Sequence, residues 1–354
     1  MKRILIVVGA RPNFMKAAPL LRELYNLKKV QITLVHTGQH YDKNMSEVFF
    51  EDLDIKKPDF MLKIGSGSHS EQTANIMIKF EEVCIKTNPN LVIVFGDINS
   101  TMACSIVAKK MNIKLAHIES GLRSNDLEMP EEINRILTDS ITDYFFVTEQ
   151  DAITNLLNEG KNKEKIFHVG NLMIDSLHYG LNKLIENNKN GDYGLVTLHR
   201  PSNVDNIDNL KQILSDLTTV SKELKLIFSI HPRTMKKISD NNVKIESSIT
   251  LLESLSYLEF LSLMKYSKAV FTDSGGIQEE TTALKIPCYT LRYNTERPIT
   301  IVKGTNILVD PKKGKIIKAF NKNKFDINPN YELPFGWDGK AAKRIAKILE
   351  KEDY

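Results

Sequence analysis

KLAHIESGLRSNDLEMPEEINR, residues 114–135, opens on an apolar run, crosses a charged loop and closes on Pro130-Glu131-Glu132, where a helical pattern begins. The run KLAHI predicts a buried strand. It ends directly on a carboxylate, Glu119. Glu119, Glu131 and Glu132 share this short stretch with Arg123 and Arg135. Either they are solvated surface charges, or the loop folds back and the carboxylates share a pocket.

The same strand–loop–helix pattern repeats along the chain. Short apolar runs recur between amphipathic segments: RILIVV, QITLVHT, LVIVFGD, KLAHIES, DYFFVTE, IFHVGN, GLVTLHR, LKLIFSIHP, ITLLES, AVFTDS, CYTLR and NILVD. Such alternation means βα units and parallel sheets. Twelve strands exceed what one doubly wound sheet usually holds. The expectation is an α/β protein of two Rossmann-like doubly wound domains facing a central cleft. The Asn-rich segment NKLIENNKNGDYG, residues 182–194, is the clearest break in the pattern. It puts the boundary near residues 170–190, with an N-terminal domain over 1–170, a C-terminal domain over 171–337 and an amphipathic helix over 338–354.

The 354 residues suit two domains, and a formal charge of +4 excludes a strongly polyanion-seeking chain. Cys84, Cys104 and Cys288 are odd in number and widely spaced, with no CxxC or zinc pattern. They read as reduced core residues. MKRILIVVGARPNF is too short in its apolar run for a signal segment, and no run approaches a membrane span. The expectation is a cytoplasmic protein with no nucleic-acid or membrane partner.

Polar residues follow nearly every strand: Arg11, Gln39-His40, Asp97, Glu119 and Glu149, then His199-Arg200, His231, Asp273-Ser274 and Arg292. In open α/β sheets, ligands bind beyond the carboxyl ends of the strands. In VFTDSGGIQEE, residues 270–280, Ser274, Gly275 and Gly276 leave backbone N–H groups at a helix start, an anion site suited to a diphosphate. The plainer reading is a Ser274 cap. Glu280 lies one turn in and suits a ribose diol. GARPNFMKAAPL, residues 9–20, lacks the GxGxxG pattern but offers Arg11 and Lys16 to phosphate. Lys16 is equally a surface lysine. Asp97, in VFGDINST, either caps the next helix or faces the cleft beside Glu119. His199 and His231 sit at equivalent strand ends, placed for proton transfer or phosphate contact.

GARPNFMKAAPL, VFGDINST, HIESGL with MPEEINR, VTLHR, HP, TDSGGIQEE and TERP occur in this order. As a set, over residues 3–310, they resemble the non-hydrolysing UDP-N-acetylglucosamine 2-epimerase family. The resemblance implies the GT-B two-domain architecture, with the active site between domains and the C-terminal helix crossing back to the first domain. It implies interconversion of UDP-N-acetylglucosamine and UDP-N-acetylmannosamine by elimination of UDP through 2-acetamidoglucal and re-addition. The matching catalytic positions are Asp97, Glu119, Glu131 and His199. Arg11, Lys16, Arg200, His231, Ser274, Gly275, Gly276, Glu280 and Arg297 would hold the UDP-sugar. The resemblance also implies a homodimer and no metal or redox cofactor.

The chain departs from the family in places. It reads Gly9-Ala10-Arg11-Pro12-Asn13 where many members have GTRPE, Ser120 where alanine is common, and Ile98-Asn99 where threonines are usual. These changes fall on the expected sugar side and leave the hexose open. GQHYDKNM, residues 38–45, and GSGSHSEQ, residues 65–72, stand where some members bind an activating second nucleotide sugar through a QHR-type segment. The competing readings are a 2-epimerase of a UDP-2,3-diacetamido glucuronate, with Arg123 or Arg292 meeting the uronate, a hydrolysing relative, and a GT-B glycosyltransferase.

Overall fold

The structure, a computed structural model, describes residues 1–39, 53–184, 191–253 and 255–354. His40, most of GQHYDKNM and residues 185–190 of the expected boundary segment lie outside them. The chain forms two compact units, Met1–His178 with Phe335–Tyr354, and Tyr179–Pro334.

The first unit is built on a seven-stranded sheet: β1 Lys2–Val8, β2 Val30–His36, β3 Phe60–Met61, β4 Leu91–Phe95, β5 Lys114–Ile118, β6 Tyr144–Val147 and β7 Ile166–His168. Their order is β3-β2-β1-β4-β5-β6-β7, all pairs parallel. β4 and β6 are buried throughout, as strands covered by helices on both faces must be. One face packs Leu5, Val35, Val92 and Leu115 against Ile76, Phe80 and Val107.

The second unit carries β8 Gly194–Thr197, β9 Leu226–Ser229, β10 Ile249–Leu252, β11 Ala269–Thr272, β12 Cys288–Leu291 and β13 Asn306–Val309. Their order is β10-β9-β8-β11-β12-β13, again parallel throughout. Phe271 and Tyr289 are register partners, and their rings stack at 4.9 Å in the core. The doubly wound α/β class expected from the sequence is thus present twice. All three cysteines are buried and unpaired.

In each sheet the strand order reverses at one point, between β1 and β4 in the first and between β8 and β11 in the second. Loops diverge there and leave a crevice at the carboxyl ends. The loops at these points begin at Gly9, Gly96, Leu198 and Asp273.

Residues 335–354 complete the first unit. The helix Ala341–Lys351 buries Ala341, Ala342, Ile345, Ala346 and Leu349 and packs on the helix Arg11–Tyr25. The Asp175 carboxylate caps it, accepting from the N–H groups of Ala341 at 3.1 Å and Ala342 at 2.8 Å. Trp337, 1% exposed, donates from Nε1 to the Thr148 carbonyl. The segment enters through Gly336, whose backbone lies against Gly170, both with positive φ.

Candidate active site

β1 runs through Gly9 and Ala10 into the helix Arg11–Tyr25. A Cβ on Gly9 would lie 2.6 Å from Ser100 Oγ and 2.7 Å from Thr37 Oγ1, so only glycine lets these three strand-end loops meet. Asn13 Oδ1 accepts from Gly9 N at 3.0 Å and Ala10 N at 3.2 Å, and Nδ2 donates to the Phe95 carbonyl. This departure from the family pattern is thus held by backbone groups. Arg11 stands exposed at the helix start.

Lys16, one turn further, is not a surface lysine. It is 7% exposed, and its ammonium pairs with Glu119. Glu119 is 5% exposed and holds φ at 71°, in the left-handed region that costs a non-glycine residue about 1–2 kcal/mol. Its N–H is committed to the Phe146 carbonyl at 2.9 Å. Strain of this kind persists only where surrounding structure enforces it, and it concentrates at functional sites. A Cβ built on Gly96 would lie 3.5 Å from Lys16 Nζ and 3.7 Å from Glu119 Oε2. The pair therefore sits against the Gly96-Asp97 turn.

Asp97 does not cap the following helix, Asn99–Lys110, whose N-cap is Ile98 with no side-chain bond. Its carboxylate pairs with Arg135. Arg135 Nη1 also reaches Glu132 Oε2 at 3.0 Å. Glu132 is fully buried and accepts from the N–H groups of Ser124 at 2.9 Å and Asn125 at 3.0 Å. Burial alone would raise the Glu132 carboxyl, but these N–H groups and Arg135 hold it below the ordinary range. The loop of residues 119–132 thus folds back through Glu132, while Glu119 pairs with Lys16. Glu132, not named from the sequence as a site residue, is the carboxylate that ties it down. Glu131 stands exposed in the first turn of the helix Pro130–Ile141.

Among the second unit's residues, Asp273 is the hub. It is fully buried and accepts from His199 N at 3.1 Å, Arg200 N at 3.0 Å and Asn203 Nδ2 at 3.0 Å. His199 Nδ1 lies 3.1 Å from Oδ1, with the ring half-exposed. Burial would raise the Asp273 carboxyl, but His199, Arg200 and Asn203 hold it below its ordinary value. Ser274 is the N-cap of the helix Gly275–Leu284 but makes no side-chain cap bond, against the plainer reading of that serine. A Cβ on Gly275 would lie 2.8 Å from Glu296 Oε1, so a larger residue there would press on that carboxylate. Gly276 follows it in the first turn, and the buried Glu280 accepts from Tyr257 OH at 3.0 Å.

Glu296, absent from the sequence reading, gathers the arginines. Arg292 Nη2 lies 2.6 Å and Arg200 Nη2 3.6 Å from its oxygens. Burial would raise this carboxyl, but Arg297, Arg292 and Arg200 push it far below the ordinary range. Arg297 Nε contacts Glu279 Oε1 at 2.7 Å. His231 lies exposed after β9. Among the described residues, no three His, Cys, Asp or Glu side chains converge as a metal site, and no helix is long and apolar enough to cross a membrane.

Each unit therefore presents acidic and basic side chains, held by buried partners, at the switch point of a Rossmann sheet. That is the design of a two-domain α/β enzyme. The family model described as UDP-N-acetylglucosamine 2-epimerase matches residues 22–350, and the chain belongs to that family. It is 43% identical to the UDP-N-acetylglucosamine 2-epimerase of Methanocaldococcus jannaschii, over 99% of this chain and 100% of the relative. The crystal structure of the M. jannaschii enzyme in complex with UDP-GlcNAc and UDP superposes with a TM-score of 0.91, covering 99% of this chain and 100% of that one at 43% identity. The chain is also 38% identical to the UDP-2,3-diacetamido-2,3-dideoxy-D-glucuronate 2-epimerase of Pseudomonas aeruginosa, over 99% of both.

Proposed function

We propose that this protein interconverts UDP-N-acetylglucosamine and UDP-N-acetylmannosamine by eliminating and re-adding UDP, without hydrolysis and without a redox or metal cofactor. The observation that carries the reading is the buried, backbone-strained Glu119 paired with Lys16 beside Asp97, in a chain whose relatives are named for 2-epimerisation. In the forward step a carboxylate takes the C2 proton. The C–H electron pair becomes the C1=C2 bond, and the C1–O pair leaves with UDP. The return step delivers a proton to C2 from the opposite face while the diphosphate oxygen bonds C1 again. No net oxidation occurs, so the scheme needs no redox partner.

The C2 proton is weakly acidic, so its removal depends on charge stabilisation at the departing diphosphate. Asp97, Glu119 and Glu131 are the proposed proton carriers. His199 is the proposed catalytic group on the diphosphate side. Arg11, Lys16, Arg200, His231 and Arg297, with the backbone N–H groups at Ser274, Gly275 and Gly276, are proposed to bind the nucleotide sugar. Glu280 is proposed for the ribose. The uronate reading is less well supported. Arg123 is committed to Asp139 and Glu159, and Arg292 to Glu296, so neither is a ready cation for a uronate carboxylate.

Proton NMR of the protein with UDP-N-acetylglucosamine in D2O is expected to show UDP-N-acetylmannosamine with deuterium at C2. Free N-acetylmannosamine and UDP would replace this reading with the hydrolysing one, and an unchanged substrate would overturn it.

We also propose a homodimer. The helices His69–Thr87 and Pro130–Ile141 both pack on Asn99–Lys110 and leave Ile78, Ile85, Ile133 and Leu137 exposed. Light scattering is expected at twice the 40.3 kDa chain mass, and a monomer mass at assay concentration would refute the dimer.

A further inference from the structure

Beneath the turns that carry Asp97 and Glu119 lies a buried polar cluster to which the proposed reaction gives no part. His117, on β5 and two residues before Glu119, is fully buried. Its Nε2 is 2.7 Å from the carbonyl oxygen of Gly96, the residue before Asp97. Its Nδ1 is 2.7 Å from Asp139 Oδ1. Asp139, also fully buried, accepts from Gly121 N at 2.9 Å and meets Arg123 Nη1 at 2.8 Å.

The partners decide where the protons are. A carbonyl oxygen only accepts, so Nε2 donates. Asp139 also pairs with Arg123 and accepts from Gly121 N, contacts that both call for its ionised form. An ionised carboxylate also only accepts, so Nδ1 must donate as well.

We infer that His117 carries a proton on both ring nitrogens and, with Asp139, is a positioning pair that locks the Asp97 and Glu119 turns into one geometry. One nitrogen holds the carbonyl of Gly96, itself at a φ of 62°. Through Asp139 the other fixes Gly121, two residues past the strained Glu119. The pair thus holds two left-handed backbone positions that flank the proposed proton carriers. The functional part of this inference rests on the epimerase reading above.

The first test is the ring-nitrogen NMR spectrum of wild-type protein labelled with 15N-histidine, with His117 assigned by loss of its signals in His117→Gln. Two protonated nitrogens are expected. A neutral tautomer, with one bare nitrogen, overturns the inference. This spectrum is read without substrate, so it decides the protonation even if the epimerase reading fails. The second test is kinetic. His117→Gln and Asp139→Asn are each expected to lower kcat about 10²-fold, as a misplaced catalytic group does. KM is expected to stay within about threefold, and the double variant to be no worse than either single one. An unchanged kcat, a loss confined to KM, or losses that multiply in the double variant would overturn the positioning role.

Discussion

Glu119→Gln is expected to lower turnover about 10³-fold or more, the scale on which a positioned proton carrier contributes. The substitution is nearly isosteric but removes the charge, and with it both the basicity and the partner of Lys16. Breaking a buried ion pair from one side costs roughly 3–5 kcal/mol, because the remaining charge is left buried. A dead Glu119→Gln enzyme alone would therefore not separate chemistry from folding. The double variant Glu119→Gln, Lys16→Met, read against Lys16→Met alone because Lys16 is itself a proposed binding residue, does separate them. It removes both charges, so stability measured by urea denaturation is expected to recover toward wild type while turnover stays lost. UDP affinity, measured by calorimetry, is expected to persist, because the substitutions leave the proposed diphosphate site at Ser274, Gly275 and Gly276 untouched. Recovery of turnover along with stability would mean that Glu119 is structural and that another carboxylate carries the proton.

The second large effect is on stability. Gly170→Ala is expected to cost about 3 kcal/mol or more. Gly170 has φ of 87°, and a Cβ there would overlap the carbonyl of Gly336. The left-handed conformation alone costs alanine about 1–2 kcal/mol. The overlap adds more, since Gly336 is itself left-handed and packed against Gly170, with little freedom to retreat. Displacing it would disturb the Trp337 seat, the bond from Arg344 Nη1 to the Val169 carbonyl and the helix Ala341–Lys351. The urea midpoint should fall with the slope unchanged. A midpoint equal to wild type would mean that residues 335–354 contribute little to the first unit.

Most of the fold was legible because parallel strands covered on both faces read as plain apolar runs. All twelve runs correspond to strands. The thirteenth, Phe60–Met61, is only two residues long in a polar stretch and gave no periodic signal. Candidate site residues were legible by position, since the polar residues after Val8, Phe95, Ile118 and Thr272 do stand at strand ends. Their partners were not. Lys16 reads as any helical lysine until Glu119 is brought to it from a distant strand. The helix Pro130–Ile141 defeats pattern reading altogether. It buries Glu132, Asn134, Arg135, Thr138 and Asp139 and exposes Ile133 and Leu137, the reverse of an amphipathic surface helix. Hydrophobic phase therefore points the wrong face inward, and which of two adjacent glutamates is buried cannot be read from it. His117 was hidden for the opposite reason, as one polar residue inside an apolar strand. That interruption was the available signal.

The return of residues 335–354 to the first unit makes Tyr179–Pro334 an insertion within it. During synthesis the first 178 residues leave the ribosome without Trp337 or the helix that covers Arg11–Tyr25. At about 5–20 residues per second, translating the inserted unit takes roughly 10–30 s. Over that interval the second unit can complete its own sheet, while the helix that bears Lys16 waits with an uncovered flank. The first unit is therefore completed only after the second has been synthesised.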